Sequence, residues 1–455
     1  LLQAVGEHVH PHHEPDRPEP DVFLVDAARP DHARRLVEEL RRDGLLPDQV
    51  VYAWSVRSTP PGADAVDRFR YAHDEFVGLV ELVQALTDAD PARPVRVDVL
   101  TDRLQEVAGD PVRAPERAMI AGAATVLPQE FSALTCRWVD VAVPDDPADQ
   151  PGWTRLVELL AAELAQPQPD RVVAYRGARR WNRSFAPVDL PAAGDGAGWR
   201  AGAGYLVTGA DGETGVTFAE QLVGAGARLV LVGQRLTDRV AALVDAHPDT
   251  VTFLPADLAD PEQARPAVVA ARDRLGRISG VVHAADARAS GLTALKTRDQ
   301  LTDVLAARVR STLLLADLLA DDDLDFFLLV SSTTGILGGF GQLENCAAAA
   351  FVDAFAHAGS AAGRRFHALD VAQWAWDDWH ERHAASPQAR EQFAQHRRVH
   401  GVAATDGVAL AGRVVAGGLA QVVVSTVDFD RVLAEQATLT TSAFLSAAGA
   451  RRRDG

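Results

Sequence analysis

The sequence predicts an α/β protein made of two doubly wound parallel sheets in tandem, and three observations predict it. Apolar, strand-like runs alternate with amphipathic, helix-like runs in two separate series. A segment rich in Pro, Gly and Ala, Pro187 to Gly204, separates the two. The second series opens with YLVTGADGETG, Tyr205 to Gly215, a strand that breaks into a glycine turn and then a helix, which is where such a sheet brings its backbone against a phosphate.

Residues 1–20 are polar and rich in His and Pro and read as a flexible linker. His8, His10, His12 and His13 have no cysteine or carboxylate partners at ligand spacing, so no metal site is expected there. The first series, residues 21–190, has strands at Val22–Val25, Val50–Trp54, Val95–Leu100 and Cys136–Val141, with helices near 32–42, 69–86 and 116–126. Its first strand runs into Asp26-Ala27-Ala28-Arg29-Pro30, with no glycine to admit a phosphate, so this half is expected to lack a cofactor loop. The second series, residues 200–435, has strands at Tyr205–Thr208, Leu229–Val232, Val251–Leu254, Gly280–His283, Phe326–Val330, Phe366–Val371 and Gln421–Ser425. Residues 436–455 read as a second linker. The first residue is not Met and the end is Arg-rich, which reads as a piece of a longer polypeptide.

At 455 residues and 47% hydrophobic, the chain has enough apolar surface for at least two cores. A net charge of −18 argues against nucleic acid or an anionic membrane as partner. No apolar run approaches the roughly 18 to 20 residues of a membrane span, so a cytoplasmic protein is expected. Cys136 and Cys346 supply no metal spacing and fit a reducing compartment. Lys296 is the only lysine in an Arg-rich chain, a skew of composition that warns against giving every arginine a role.

The centre of the second series is Phe326 to Asp353, FFLLVSSTTGILGGFGQLENCAAAAFVD: a strand, a glycine loop that receives two serines, and an alanine-rich helix. This stretch resembles the active-site strand and helix of the short-chain dehydrogenase/reductases, and in detail the ketoreductase domain of modular (type I) polyketide synthases. The usual form there is close to FSSxAGxxGxxGQxxYAAANAFLDA. Ser331, Ser332, Gly335, Gly338, Gly341, Gln342, Ala347, Ala348, Ala350, Phe351 and Asp353 match it without a gap. LPQEFSALTCRWVDV (Leu127–Val141) and VVAYRGARRWNRSF (Val172–Phe185) are similar to the family's structural subdomain, and Trp374–Val399 to its substrate lid. His380, His383, His396 and His400, in or beside that lid, read as a solvated helix face. The resemblance implies two Rossmann-like subdomains, a truncated structural one and a complete catalytic one. It also implies NADPH as cofactor, and an acyl carrier protein and neighbouring synthase domains as partners.

Residue by residue, the catalytic set is degenerate. The family's serine is Ser332, but its tyrosine position is Asn345, its asparagine position Ala349 and its lysine position Arg308. An amide cannot act as an acid, and an arginine does not relay a proton near pH 7. The remaining tyrosines, Tyr52, Tyr71, Tyr175 and Tyr205, all lie at or before the first strand of the second series. In the cofactor loop Gly209, Gly212 and Gly215 fit TGGxGxxG, and Asp257 matches the adenine-binding acid. Arg235 follows Gln234 at the position of the family's phosphate-binding arginine, and reads equally as a substitute or as a surface residue. Asp211, Glu213 and Asp286 add negative charge where an anionic cofactor would lie, so NADPH binding is expected to be weak or absent. The stereochemical marks of the family are missing at Arg288-Ala289-Ser290 and Leu337. The expectation is a redox-inactive ketoreductase-like domain with a structural role. The alternatives are NADPH-dependent reduction of a carrier-bound β-ketoacyl chain with an unusual proton donor, and, ranked lower, epimerisation at the α-carbon.

Overall fold

The computed structural model describes residues 2–4, 23–56, 60, 62–166, 170–192, 198–285, 289–384 and 386–437. His8, His10, His12, His13, Asp286, Arg288 and residues 438–455 lie outside the described residues. The strands among the described residues are β1 Leu2–Ala4, β2 Phe23–Val25, β3 Gln49–Tyr52, β4 Val95–Asp102, β5 Leu134–Val141, β6 Val172–Arg176 and β7 Arg179–Asn182, followed by β8 Gly204–Thr208, β9 Arg228–Gly233, β10 Val251–Pro255, β11 Gly280–His283, β12 Phe326–Ser332, β13 Phe366–Val371 and β14 Gln421–Val424.

β8 to β14 form a seven-stranded parallel sheet in the order β10-β9-β8-β11-β12-β13-β14. The strand order reverses between β8 and β11, and the connections leaving that point part to opposite sides, which opens a crevice beyond the carboxyl ends of the strands. Every residue of β8 and β13 is buried, as a parallel strand covered on both faces requires.

The first series is truncated. Its sheet runs in sequence order, β3-β4-β5-β6-β7, parallel as far as β6 and antiparallel at the β6–β7 hairpin. The reversal that makes a crevice therefore belongs to the second sheet. β7 is not foreseen from the sequence because all four of its residues are exposed and none alternates in polarity. A charged strand of this kind suits a sheet edge. One expectation needs correction: Leu2–Ala4 is not simply linker, since it pairs in parallel with β2.

The two halves share one apolar core. Met119, Ile120 and Leu127 of the helix Met119–Glu130 pack in the same buried cluster as Leu343, Ala347 and Phe351 of the helix Leu343–Ala361. At their crossing a Cβ on Gly122 would collide with the backbone of Ala347. The last two residues of the first helix then hold the loop that feeds the second. Gln129 Nε2 donates to the carbonyl of Leu337 (2.8 Å) and its Oε1 accepts from Gly339 N–H (2.7 Å). Glu130 accepts from Gly341 N–H (2.8 Å) and Thr293 N–H (2.6 Å).

Candidate active site

β12 delivers Ser331 and Ser332 to the crevice, and the chain then turns through Thr334–Leu337 before entering the helix Leu343–Ala361. A narrow pocket of about 100 Å³ lies there, lined by Arg308, Ser332 and Asn345 together with Thr334, Gln342 and His380. Three of the four positions read from the sequence thus converge. Ala349, the fourth, is fully buried one turn beyond Asn345 and packs against Gly335, where a Cβ would lie 2.9 Å from the Ala349 methyl.

The hydrogen bonds show what each group does at rest. Ser332 Oγ lies 2.9 Å from Thr334 Oγ1 and accepts from Thr334 N–H (3.2 Å). Asn345 is 5% exposed, and its Nδ2 donates to Gln342 Oε1 (2.6 Å) and to the carbonyl of Ala289 (3.1 Å). Its Oδ1 is buried without a partner. Asn345 therefore ties the helix to the 289 loop. Cys346 beside it is fully buried, and burial pushes its thiol up to about 12, so it is no stand-in acid near neutral pH.

Arg308 sits in a single π-helical turn, Ala306–Arg310, between the helices Arg298–Leu305 and Ser311–Leu318. Such turns widen a helix and often occur at functional sites. A buried chain of hydroxyls fixes this one. Thr312 Oγ1 donates to the carbonyl of Arg308 (2.6 Å), so it accepts from His283 Nε2–H (2.9 Å). His283 Nδ1 is then the acceptor, and Thr208 Oγ1 donates to it (2.6 Å). Burial, with Arg308 nearby, lowers His283 to about 4, which keeps the ring neutral. The end of β8 and the turn bearing Arg308 are thereby linked.

The cofactor loop keeps its backbone form. Gly209 has φ +69°, and a Cβ there would strike the carbonyl of Ala284; a Cβ on Gly215 would strike the carbonyl of Gly209. Gly212 precedes the helix Glu213–Gly224 with no side-chain cap, which leaves the first N–H groups of that helix open to a phosphate. Asp257 Oδ1 accepts from Ala259 N–H (2.8 Å). Gln234 and Arg235 are exposed. The two acids of the loop differ in their partners. Glu213 pairs with Arg239 (2.6 Å), which also holds Glu220, so its charge is offset. Asp211 instead lies against Gly233, where a Cβ would come within 2.6 Å of its Oδ1, next to Gln234 and Arg235.

Nothing in the sequence singles out Thr334, Asp377 or Gln373 as lining the pocket, and His380 reads there as a solvated lid residue. His380 is exposed yet lines the pocket beside Trp379. Only the lid assignment could have signalled this, because the residues lie on a connection without apolar periodicity. Among the described residues no group of three or more His, Cys, Asp or Glu could hold a metal ion.

A doubly wound parallel sheet with a glycine turn after its first strand and a crevice at the reversal of strand order is a fold of the short-chain dehydrogenase/reductase type. Residues 203–376 match the model of the KR domain, and this unit is a KR domain of the modular polyketide synthase kind. The chain is 29% identical over 360 residues to one of the subunits of the phenolphthiocerol/phthiocerol polyketide synthase of Mycobacterium tuberculosis, covering 77% of this chain and 19% of that protein. It is 30% identical over 443 residues to polyketide synthase GfsA of Streptomyces halstedii, covering 94% of this chain and 6% of that protein. The chain thus spans less than a fifth of the length of these relatives. Its fold is similar to the crystal structure of an N-terminal ketoreductase from the macrolactin assembly line, with a TM-score of 0.73 and 17% identity over 95% of this chain and 82% of that one.

Proposed function

We propose that the chain is a redox-inactive ketoreductase-like domain of a polyketide synthase, retained for its fold within a multienzyme. Its partners in this reading are neighbouring synthase domains and an acyl carrier protein. The observation that carries it is Asn345. Hydride delivery to a ketone leaves an alkoxide that must be protonated, and the residue at the donor position is an amide whose NH2 is engaged by Gln342 and Ala289. The flanking groups do not compensate, since Arg308 carries no transferable proton near neutrality. A pocket of about 100 Å³ is also small beside the roughly 300–1,000 Å³ of ordinary ligand sites.

NADPH is the cofactor that this class of fold would take. Gly209, Gly212, Gly215 and the open helix start fit its pyrophosphate, and it would supply hydride. Arg235, exposed after the same strand, would be the partner for a 2′-phosphate in this reading, and the Asp211 carboxylate stands beside that strand end. We therefore propose that binding is weak. A second reading is favoured by one observation: His380 lines the pocket with Ser332 and Arg308, so an imidazolium from the lid is a stand-in donor for reduction of a β-ketoacyl thioester. Epimerisation at the α-carbon has no such support.

The test is NADPH oxidation by the purified chain with a β-ketoacyl N-acetylcysteamine thioester. The expected result is a rate indistinguishable from the enzyme-free control. Ketone-dependent turnover that disappears in His380→Ala would replace the first reading by the second.

A further inference from the structure

The largest cavity among those described lies away from the glycine loop. It encloses about 1040 Å³ between the two halves, with walls from β14, the helix Leu343–Ala361 and the segment that follows β7. Cavities at such junctions, mostly apolar with a few converging polar groups, are where proteins bind small molecules.

Arg183 opens into this cavity. Its guanidinium lies 5.5 Å from the centre of the Phe185 ring, and that ring in turn meets Phe429 edge-on at 5.2 Å. Among the described residues it makes no hydrogen bond or ion pair, although it carries five N–H donors. Its pKa is lowered, first by desolvation, with Asp353 and Asp370 acting in the opposite sense. Arg183 is exposed to solvent where it opens into the cavity, so its N–H donors are free to meet an anion that enters.

The nearby acids do not fill that role. Asp353 lines the cavity and hydrogen-bonds side chain to side chain with Asp370, which is fully buried. The Oδ1 of each is buried without a hydrogen-bond donor, and the contact between the two carboxyls favours a proton on Asp353. Gln421 Nε2 donates to Asp370 Oδ2 (2.7 Å), and the Ser331 hydroxyl also reaches Asp370. The remaining charged or titratable groups on the walls are Glu106, Asp428 and Asp430, which are exposed to solvent, and His357. The rest of the lining is largely apolar, including Trp138, Phe185, Val188, Leu190 and Val422.

We propose that this cavity binds a monoanionic amphipath, with the anionic head on Arg183 and the apolar chain along Phe185, Val188 and Leu190. The planar guanidinium fork suits a carboxylate or a similar oxyanion, and the apolar wall suits an alkyl chain. A cationic head would meet Arg183 and be repelled. Binding is linked to the carboxyl pair. Asp370 is raised to about 6, chiefly by burial, so acidification through that value neutralises the pair and leaves Arg183 without a competing negative charge. An anion therefore binds more tightly at pH 5.5 than at pH 8.

The probe is 1-decanesulfonate, which stays ionised across this range, titrated by calorimetry into the whole chain. The expected result is saturable binding of one equivalent at pH 7.5, tighter by several-fold at pH 5.5. Arg183→Gln should weaken it at least tenfold. Val188→Trp, at a position 51% exposed, should fill the apolar end and also weaken binding, with unchanged circular dichroism and melting temperature in both variants. Decyltrimethylammonium should bind less tightly than the sulfonate. The proposal is overturned by wild-type affinity in folded Arg183→Gln, by tighter binding of the ammonium, or by no saturable binding to the wild-type chain.

Discussion

The helix Leu343–Ala361 presents two faces, and they are held to different standards. On one face Ala347 and Ala350 meet the first half of the molecule, where Gly122 permits a backbone approach that no larger residue allows. On the other, Asn345 lines the crevice pocket while Ala349, one turn on, is buried against Gly335, and the buried Asn345 amide oxygen has no partner. The first face is packed against Gly122 at its start and opens further along onto the cavity lined by Ala350, Asp353 and Ala354. The second keeps a polar atom that nothing satisfies. The comparison teaches that packing and catalysis constrain neighbouring residues of one helix separately, because side chains about 100° apart on the helix answer to different partners.

The largest effect is expected where the packed face is broken. Gly122→Val would drive a side chain into the Ala347 backbone, which neither helix can avoid by rotating a side chain. A loss of about 3 kcal/mol or more is expected from overpacking of this kind, read as failure to fold or as a large drop in melting temperature. Wild-type stability would mean that the two helices are not held against each other in solution.

Next comes the latch at the end of the first helix. Glu130→Ala removes the acceptor of two buried donors, Gly341 N–H and Thr293 N–H, each worth about 1–3 kcal/mol when left unsatisfied. A loss of about 2–3 kcal/mol in urea denaturation is expected. Asn345→Ala, on the other face, should cost clearly less, since it also removes an unsatisfied oxygen. Equal losses would erase the distinction between the faces.

Much of this contrast is legible in the sequence. The gapless match from Ser331 to Asp353 tells which residues of the helix share a face, and the glycine turn locates the crevice. What escapes is pairing between residues distant in sequence. Glu213 reads as a charge aimed at the cofactor because its neighbour in space, Arg239, lies 26 residues on and has no pattern that announces it. The Asp353–Asp370 pair is hidden for the same reason: one member belongs to the helix, the other to β13, and each alone reads as an ordinary acid. β7 escapes because an exposed edge strand carries no alternation.

The carboxyl pair gives a smaller effect with a distinctive pH signature. Asp370 is raised from 3.8 to about 6, mainly by burial, so the folded state holds a proton that the unfolded state has released between those values. Stability from this group is therefore greatest below about pH 4 and falls as pH rises through about 6. Asp370→Asn keeps an oxygen for Gln421 and a donor for Asp353 without the charge. It should raise stability at pH 8 by about 1–2 kcal/mol and leave it nearly unchanged at pH 4, as read from denaturation midpoints at the two values. A loss at pH 8 would mean that the ionised pair is stabilising and that the assigned direction is wrong.

The smallest effect separates the two acids of the cofactor loop. Two like charges about 4 Å apart repel by about 1 kcal/mol in water, which corresponds to about five-fold in affinity. Asp211 lies beside Gly233, at the strand end that carries Gln234 and Arg235, with no counter-ion recorded among the described residues. Glu213 is already paired with Arg239. Asp211→Asn should therefore strengthen NADPH binding several-fold in a fluorescence titration, whereas Glu213→Gln should change it by less than two-fold, because removing one partner of an exposed pair leaves Arg239 still held by Glu220. The same titration of Arg239→Gln, which strips the counter-ion from Glu213, should weaken binding relative to wild type. If Glu213→Gln improved affinity as much as Asp211→Asn, the ion pair with Arg239 would not be shielding the loop, and the charge reading taken from the sequence alone would be the better one.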